Sequence, residues 1–291
     1  MIDAGLPRLG VGAGWRPEAG RQLLSRLDEF DVLEVLADTV VGKGKDAWNE
    51  ACDLAELSPV ALHGVNLSLA STDCLKHRGY LRDLARLVRV LRVPFYSEHF
   101  ALTKAGEERI GHLSPVWLTE AQLKVFIRNT AAVQDILGVP LVLENISVPY
   151  EIPGAEMSET DFINETARRT GCGLLIDAEN LAINAANLGF DPDAWLERLD
   201  RDAVVEVHLA GGLREGKLWV DTHSRPVSSD VWGLYGRIVA SCPNLKCVII
   251  ERDDDFDGFK GVAQEAARAR RVWNARGKKS DHACIAWRIK S

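Results

Sequence analysis

The short stretch "WVDTHSRPV" (residues 219–227) places an aspartate and a histidine two positions apart, after an apolar run and a glycine-rich turn. Asp221 and His223 fit either a solvent-exposed Asx-type turn or two ligands of one metal ion. The pair alone does not separate these interpretations, since D-x-H is common in loops. The choice depends on whether other histidines and acids fall at matching places along the chain.

Residue types that can ligate metal recur where apolar segments end. These residues are Glu34, His63, His99, Glu144, Asp177, His208 and Glu251, with Asn180 three positions after Asp177. Four of the seven histidines lie at these ends or in the D-x-H loop. Burying so many ionisable groups together is costly unless they pair or bind metal. Four imidazoles, four carboxylates and one carboxamide supply about the donors that two or three first-row ions need, and this mixture favours iron, manganese or zinc.

Each residue also has an ordinary structural interpretation. A buried histidine such as His63 or His99 is usually satisfied by one partner. Asp177 could cap the helix predicted to follow it, and Glu251 could form a strand-end ion pair with Arg252. All of these interpretations would have to hold together at five or more successive strand ends, so the joint metal interpretation is favoured.

Eight short apolar runs alternate with longer segments of helical periodicity. The runs are residues 8–13, 31–36, 59–65, 94–100, 140–145, 173–178, 204–210 and 246–251. Near-continuous apolar strands followed by helices favour parallel pairing under a helical cover. The pattern predicts the α/β class: a single (β/α)8 TIM-type barrel over residues 1–275, with residues 276–291 as a C-terminal tail and an open doubly wound sheet as the alternative. Because the strand ends of a barrel converge on one face, this fold would bring the polar residues together.

Composition and charge exclude several classes of function. A formal net charge of −7 disfavours general nucleic-acid binding, which depends on Lys and Arg. The sequence has neither a long apolar run nor a signal-peptide pattern, which predicts a cytoplasmic protein with no membrane partner. The six cysteines are scattered without C-x-x-C spacing, which predicts reduced thiols. The stretch "GVGAG" falls short of a dinucleotide-binding fingerprint.

The chain resembles the DUF692 family, the multinuclear non-haem iron-dependent oxidative enzymes that modify ribosomally made peptides. The resemblance covers about residues 8–270 and depends on "HGVNLSL", "YSEHFAL", "LVLENIS", "RTGCGLLID", "NAANLG", "EVHLAG" and "WVDTHSRPV". The occurrence of these stretches in this order makes the resemblance specific.

The resemblance implies metal-ligand roles for His63, His99, Glu144, Asp177, Asn180, His208, Asp221, His223 and Glu251. It implies two or three iron ions of mixed Fe(II)/Fe(III) valence, with O2 as co-substrate. The substrate would be a ribosomal precursor peptide, commonly oxidised at a cysteine, and a separate leader-peptide-binding partner protein would form a heterodimer with this chain. Further candidates for contacts to the ligands or the substrate are Glu34, Ser97, Glu98, His112, Asn145, Asn184 and Arg252. Of these, Glu34 could also be purely structural, and His112 an exposed loop histidine.

Some positions depart from the family pattern. This chain has "HLAGG" where the family often has "HLAGH", so that Gly212 replaces a histidine. Ser224 stands where the family often has aspartate, and Arg252 where it often has tryptophan. "SEHFAL" replaces the family's "SEHLAW". These changes leave the implied ligands intact and alter the wall of the pocket, on which the substrate and the type of oxidation depend.

Three other functions remain as alternatives. A trinuclear zinc nuclease resembling endonuclease IV has a similar ligand order, but the negative charge and Asn180, where those nucleases use histidine, disfavour it. A xylose-isomerase-like sugar isomerase would need a lysine or paired glutamates at strand ends, and strand-end lysines are absent. An inactive metal-binding partner subunit is disfavoured by the intact ligand set.

Overall fold

Parallel strands close into a barrel. The computed structural model describes residues 5–106, 108–256 and 259–288, with side chains described as far as residue 276. The barrel strands are β1 (Gly10–Gly14), β2 (Leu33–Leu36), β3 (Val60–His63), β4 (Tyr96–His99), β7 (Leu141–Glu144), β8 (Gly173–Asp177), β9 (Val204–Leu209) and β12 (Cys247–Ile250). They pair in the order β1-β12-β9-β8-β7-β4-β3-β2, and each pair is parallel. The predicted (β/α)8 barrel is confirmed, and the open sheet is excluded.

Helices cover the outside of the barrel. They are α1 (Gly20–Leu24), α2 (Lys45–Leu57), α3 (Arg78–Leu91), α4 (Glu120–Leu137), α5 (Glu159–Thr170), α6 (Ala178–Leu188), α7 (Pro192–Arg198), α8 (Ser229–Ser241) and α9 (Lys260–Arg288). In α3, Leu81, Leu84, Leu87, Val88 and Leu91 are buried, and this helical spacing forms one apolar stripe against the barrel. None of the helices in the described ranges has the length and apolar character that a membrane span requires.

The C-terminal helix extends beyond the barrel. The backbone of α9 continues to Arg288 and so enters the range predicted to form a separate tail, residues 276–291. The side chains beyond residue 276 and residues 289–291 lie outside the described part of the chain, as does Cys284. The five cysteines in the described part are free thiols.

Two antiparallel hairpins, not predicted from the sequence, lie in the loops that follow barrel strands. One consists of β5 (Leu102–Ala105) and β6 (Glu108–Ser114) after β4, and the other of β10 (Leu213–Glu215) and β11 (Leu218–Val220) after β9. His112 therefore lies in strand β6 rather than in a loop. Both hairpins belong to the face at which the parallel strands end, so they extend the wall around the barrel mouth.

The two-residue period of a strand sorts the barrel interior into layers. A small core cluster inside the barrel is separate from the core between the barrel and its helices. It contains Val32, Ala61, Val142, Leu175 and Ile249. Two positions farther along each strand come Glu34, His63, Glu144, Asp177 and Glu251. Side chains two residues apart point to the same face of a strand, so an apolar lower layer supports a polar upper layer. The sequence predicted Glu34 at the end of β2, but it lies inside that strand, and β2 begins at Leu33 rather than at residue 31.

Glycine is required where β1 approaches β2. A Cβ added at Gly12 would lie 2.0 Å from the carbonyl oxygen of Val32 and 2.6 Å from its Cγ1. We expect Gly12→Ala to lower the free energy of unfolding by about 3 kcal/mol, since the barrel strands would have to separate. The control is Gly236→Ala inside α8, where an added Cβ meets nothing within 4 Å. That substitution should raise stability by about 1 kcal/mol, because alanine favours the helix. Urea unfolding of both variants measures the difference, and equal effects would contradict the close approach.

Candidate metal centre

Two histidines meet a carboxylate at the ends of three strands. The Nε2 atoms of His63 and His99 lie 3.5 and 3.3 Å from Glu144 Oε2, and all three side chains are buried. His99 Nδ1 lies 3.0 Å from the carbonyl oxygen of Gly64, to which it donates. His63 Nδ1 lies 3.0 Å from Ser97 Oγ, and that hydroxyl donates to a backbone carbonyl and so can accept from the ring. Each imidazole thus has one nitrogen fixed from outside and the other directed at Glu144, as in metal-ligating histidines.

A third histidine joins this group from β9. His208 Nε2 lies 3.0 Å from Glu34 Oε1, and because a carboxylate only accepts, this nitrogen carries a proton. His208 Nδ1 lies 3.0 Å from Glu251 Oε2 and 3.8 Å from Glu144 Oε1, so it faces the carboxylates of the cluster. Glu34 therefore orients His208 by a carboxylate–imidazole contact, which is the contact that fixes histidine ligands in metal sites.

The D-x-H loop closes the other side of the cluster. His223 Nδ1 lies 3.3 Å from Glu251 Oε2, and His223 Nε2 lies 2.9 Å from Asp221 Oδ1 and 3.6 Å from Asp177 Oδ2. His223 has a φ of 46°, in the left-handed region that non-glycine residues rarely adopt. Such strained backbone is concentrated at functional sites, where the surrounding structure maintains it. The pair that the sequence left undecided therefore faces the polar interior of the barrel.

Asn180 completes the set from the first turn of α6. Asp177 caps this helix, since its Oδ1 accepts from Asn180 N at 2.6 Å. Asn180 Nδ2 donates to the carbonyl of Asn145 at 3.2 Å, and Asn145 itself exchanges hydrogen bonds with the backbone of Asp177. The amide oxygen of Asn180 is buried and has no hydrogen-bond partner among the described residues. Eight of the nine residues implied to be ligands are joined by side-chain contacts, and Asn180 adjoins them through its backbone hydrogen bond to Asp177. Their roles as ligands stay a prediction.

Several buried atoms of this cluster that could ligate a metal ion make no hydrogen bond. The unpartnered atoms include Glu144 Oε2, Asp177 Oδ2, Asn180 Oδ1, His208 Nδ1 and His223 Nε2. Unsatisfied buried polar atoms are rare in folded proteins, because each costs about 1–3 kcal/mol. Three sets of residues place ligand atoms within 4.8 Å of one another: Glu34, His63 and His208; His63, His99 and Glu144; and Glu144, Asp177, His208 and Glu251. The residues present thus fit a group of metal ions, and His63, Glu144 and His208 each belong to two sets.

The pKa values of the cluster follow from burial and from the neighbouring charges. Burial, together with His99 and His208, lowers the pKa of His63 well below its ordinary value, so this ring is neutral and can ligate. Burial acts to lower the pKa of the other three imidazoles too, but neighbouring carboxylates outweigh it, raising the pKa of His99 to about 9 and those of His208 and His223 well above the ordinary value. A bound cation would have to displace these protons.

Burial raises the pKa of Glu144 to about 8 and that of Asp177 to about 6, and neighbouring carboxylates add to both shifts. Burial acts to raise the pKa of Glu251 too, but His208 and His223 outweigh it and hold that pKa well below its ordinary value. Metal-free acids that retain protons are groups that a cation would stabilise in the charged form.

The additional candidates differ in where they lie. Ser97 touches His63, as described, and Glu98 Oε1 lies 3.4 Å from His99 Nδ1. Asn184 accepts from Val148 N and donates to the Ile146 carbonyl, which fixes the loop after β7 rather than touching the cluster. His112 is exposed, with Nε2 3.2 Å from Ser114 Oγ.

Arg252, in contrast, is directed at α9. Its guanidinium pairs with Glu265 at 3.1 Å and is not paired with Glu251. The strand-end ion pair of Glu251, which the sequence offered with Arg252 as the alternative to metal binding, is formed by Arg16, whose Nη2 lies 3.4 Å from Glu251 Oε1. Arg16 follows β1, so the strand-end argument that identified the other residues would also have found it.

Two buried glutamates escaped the sequence reasoning. Glu206 is fully buried in β9, two positions before His208, and the two-residue strand period could have identified it. Glu179 accepts from Gly212 N at 2.9 Å, and an added Cβ at Gly212 would lie 2.5 Å from the carbonyl oxygen of Val220. The glycine that replaces the family histidine therefore allows the second hairpin to pack closely against α6.

Comparisons with known proteins fit this geometry. A family model described as "RiPP precursor modification enzyme MbnB/TglH/ChrH" matches residues 10–274. The chain belongs to this family. The MbnB/TglH/ChrH family is the DUF692 family predicted from the sequence motifs, so that prediction is confirmed. The chain is thus a member of an enzyme family that acts on ribosomally made, post-translationally modified peptides.

Relatives of similar length also match. A UPF0276 protein of Caulobacter vibrioides is 36% identical and covers 91% of this chain and 95% of its own length. One from Chromobacterium violaceum is 38% identical, over 92% of this chain and 96% of its own length. Among solved structures, endonuclease IV from Thermus thermophilus has a TM-score of 0.57 at 18% identity, over 92% of this chain and 99% of that one. A xylose isomerase domain protein from Planctomyces limnophilus has a TM-score of 0.61 at 13% identity, over 94% and 99%. At these identities the two structures show the barrel fold alone.

Proposed function

We propose that this chain is a multinuclear iron enzyme that uses O2 to oxidise a residue, commonly cysteine, of a ribosomally synthesised precursor peptide. Membership of the MbnB/TglH/ChrH family supports the peptide substrate. The observation that carries the metal part is the continuous buried cluster with unpartnered donor atoms. The three sets within it contain imidazole and carboxylate but no thiolate, which suits iron, manganese or zinc.

The residues of the chain have distinct tasks in this proposal. Two or three irons of mixed Fe(II)/Fe(III) valence would be held by the nine implied ligands: His63, His99, Glu144, Asp177, Asn180, His208, Asp221, His223 and Glu251. Bound iron would supply a Lewis acid that acidifies a substrate thiol and the electron transfer that O2 reduction needs. Glu34, Ser97 and the Gly64 carbonyl fix the imidazole rings in orientation, so that little reorganisation accompanies binding. Arg16 contributes a positive charge beside Glu251.

Side-chain exposure indicates how a peptide would reach the cluster. Asp221 is 22% exposed and His223 12%, whereas Glu144 is 2% exposed. The cluster is therefore most accessible from the loop that follows the second hairpin. A peptide entering there would meet the metal ions on the Asp221 side first.

The proposal includes a separate leader-peptide-binding partner protein that forms a heterodimer with this chain. Four exposed large apolar residues lie in the loops and hairpins on the face at which the barrel strands end: Trp117, Tyr150, Leu218 and Trp219. Exposed aromatic residues are enriched at protein interfaces, so this face suits a partner that presents the peptide to the mouth.

Metal analysis of protein from iron-replete cells tests the proposal. We expect two or three irons per chain, with Mössbauer spectra of a mixed-valent cluster. We also expect O2 consumption that depends on a short precursor peptide encoded beside the gene, and a mass change in that peptide. His223→Ala should lose at least one iron, because His223 contacts three carboxylates of the cluster. The matched control is His112→Ala, which removes an exposed histidine outside the cluster.

Two results would contradict the proposal. Stoichiometric zinc with little iron, together with cleavage of abasic DNA, would replace the proposal by a zinc nuclease. Equal iron content in the two histidine variants would show that the cluster is not the iron site.

A further inference from the structure

A cavity of about 540 Å³ lies beside the candidate metal centre. Its wall is formed by the loop before α4, the loop between β7 and α5, and parts of α5, α6 and α7. Its volume is in the range of small-molecule sites, and it is distinct from the cluster of ligating residues. None of the nine candidate ligands lines it, so its occupant would not coordinate metal.

The wall selects for an apolar ring. Phe100, Phe162 and Trp195 contribute aromatic surface, and the rings of Phe100 and Phe162 are in edge-to-face contact at 6.3 Å. Val116 and Leu188 add aliphatic surface. Aromatic pairs prefer such offset and edge-to-face arrangements, so a further ring entering the cavity would find complementary faces and edges.

Two polar groups on the wall have partners. Trp195 Nε1 donates to Glu159 Oε2 at 2.8 Å, which uses the only donor of the indole. Arg198 donates to Ser158 Oγ at 2.9 Å and to Asp161 Oδ2 at 3.1 Å. Tyr150 and Glu151 also line the cavity and are exposed to solvent. A charged occupant would lose hydration against the apolar part of the wall, whereas an apolar one would not.

The chain connects the cavity directly to the cluster. Phe100 is the residue after His99, and Ile146 is two residues after Glu144. Asn184 lines the cavity one helical turn after Asn180 and fixes the loop through hydrogen bonds to Ile146 and Val148. Phe100 stacks on Phe126 of α4 while His99 faces Glu144, so the cavity and the cluster lie on the two sides of the same strand ends.

We propose that this cavity is a specificity subsite that takes a ring-bearing apolar side chain of the peptide held at the metal centre. The inference rests on the proposed peptide substrate and adds a sequence preference to it. A side chain held there orients the peptide, so the reacting residue is presented in one register. The cavity thus selects peptides with phenylalanine, tyrosine or tryptophan near the modified position.

Fluorine NMR of a small probe tests the subsite without turnover. The probe is N-acetyl-4-fluoro-L-phenylalaninamide, and its 19F line width reports binding to the metal-free protein. Unlabelled N-acetyl-L-phenylalaninamide should displace it, the leucine analogue less effectively, and the lysine analogue at least about tenfold less effectively. Equal competition by the lysine analogue would overturn the assignment to an apolar ring.

Cavity-filling variants locate the probe. Two substitutions place a tryptophan ring at the cavity wall: Ala194→Trp on α7 and Ala155→Trp in the loop between β7 and α5. Both alanines are exposed, so the core is left unchanged. Each should weaken probe binding at least about tenfold. Ala240→Trp, at an exposed position on α8 away from the cavity, should leave it within about twofold. Thermal melts establish that the variants are folded, and unchanged binding in both filled variants would overturn the proposal.

A paramagnetic ion tests whether the cavity serves the metal centre. With Mn²⁺ added, the fluorine of the bound probe should relax at least about fivefold faster than without it, since the effect falls steeply with distance. His223→Ala, which weakens the cluster, should reduce the effect but leave diamagnetic binding intact. A probe that binds but is not relaxed by Mn²⁺ bound to the protein would refute the subsite. A failure of peptide oxidation with this relaxation intact would count against the proposed reaction alone.

Discussion

Glu144→Gln is expected to reduce metal affinity at least about a hundredfold, and at the same time to stabilise the metal-free protein. The loss of affinity follows from the contacts of this carboxylate with His63 and His99 and from its membership of two of the three ligand sets. Removing even an outer partner of a metal site costs about 10–100-fold, so removing a shared ligand costs at least that. A hundredfold loss corresponds to about 2.7 kcal/mol of metal-linked stability.

The gain in the metal-free state has a different cause. Burial raises the pKa of Glu144 from 4.5 to about 8, and Asp177 and Glu251 contribute to the increase. The folded protein then holds a proton that the unfolded chain releases above about pH 4.5, so folding stability declines as the pH rises towards 8. Glutamine has no proton to lose and avoids this decline.

Thermal melts at pH 8, with and without added metal, measure both the loss of metal-linked stability and the gain in stability of the metal-free protein. The wild-type protein should melt higher than Glu144→Gln in the presence of metal and lower in a chelator. The matched control is Glu197→Gln, at an exposed position on α7, which should change neither melting temperature. If the glutamine variant binds metal as tightly as the wild type does, Glu144 is not a ligand.

Glu206→Gln is expected to stabilise the metal-free protein at pH 8 by on the order of 4 kcal/mol and to have little effect near pH 5. Glu206 is fully buried, and neither of its carboxylate oxygens has a hydrogen-bond partner. Burial raises its pKa from 4.5 to about 8, with Glu34 adding to the shift and His208, Cys247 and Ser97 opposing it. The full shift corresponds to about 5 kcal/mol at 1.36 kcal/mol for each pKa unit. On the order of 4 kcal/mol of this is lost at pH 8, where half of the folded molecules still hold the proton.

The sign follows from proton linkage. A folded-state pKa above the unfolded value means that the stabilising contribution is complete below about pH 4.5 and is lost as the pH rises through 8. Urea unfolding of the chelator-treated protein at several pH values measures the difference between variant and wild type. That difference should grow from nearly zero at pH 5 to its full size at pH 8. Glu215→Gln, at an exposed position on β10, is the control, and an advantage that is equal at both pH values would contradict the assignment.

The barrel could be predicted from the sequence because the pattern that indicates each strand or helix lies within that segment of the chain. Each strand and each helix has its own periodicity, and eight repeats of the alternation leave few architectures. The same rule predicted which residues would meet, since residues that end parallel strands converge on one face however far apart they lie in the chain. Glu144 and Asp177 are separated by a whole helix, yet both were assigned to one site.

The second hairpin was missed because its strands are short. β10 and β11 have three residues each, too few for a two-residue alternation to stand out from a loop. β6 has seven residues, but its apolar residues do not alternate with polar ones, so His112 was expected in a loop. Arg252 was a candidate for contacts to the ligands or the substrate, but tertiary packing directs it to Glu265 on α9.

The amino-acid sequence by itself thus determined the fold, the family and the set of residues gathered at the barrel mouth, because these depend on periodicity and on motifs that are local in the chain. Tertiary structure alone decided how the His208 ring is oriented, since that depends on Glu34, 174 residues away. It also decided that Arg16 neutralises Glu251, and that an aromatic cavity lies beside the cluster. These features arise from distances between separate elements, and such distances are set only when the barrel closes and its loops pack.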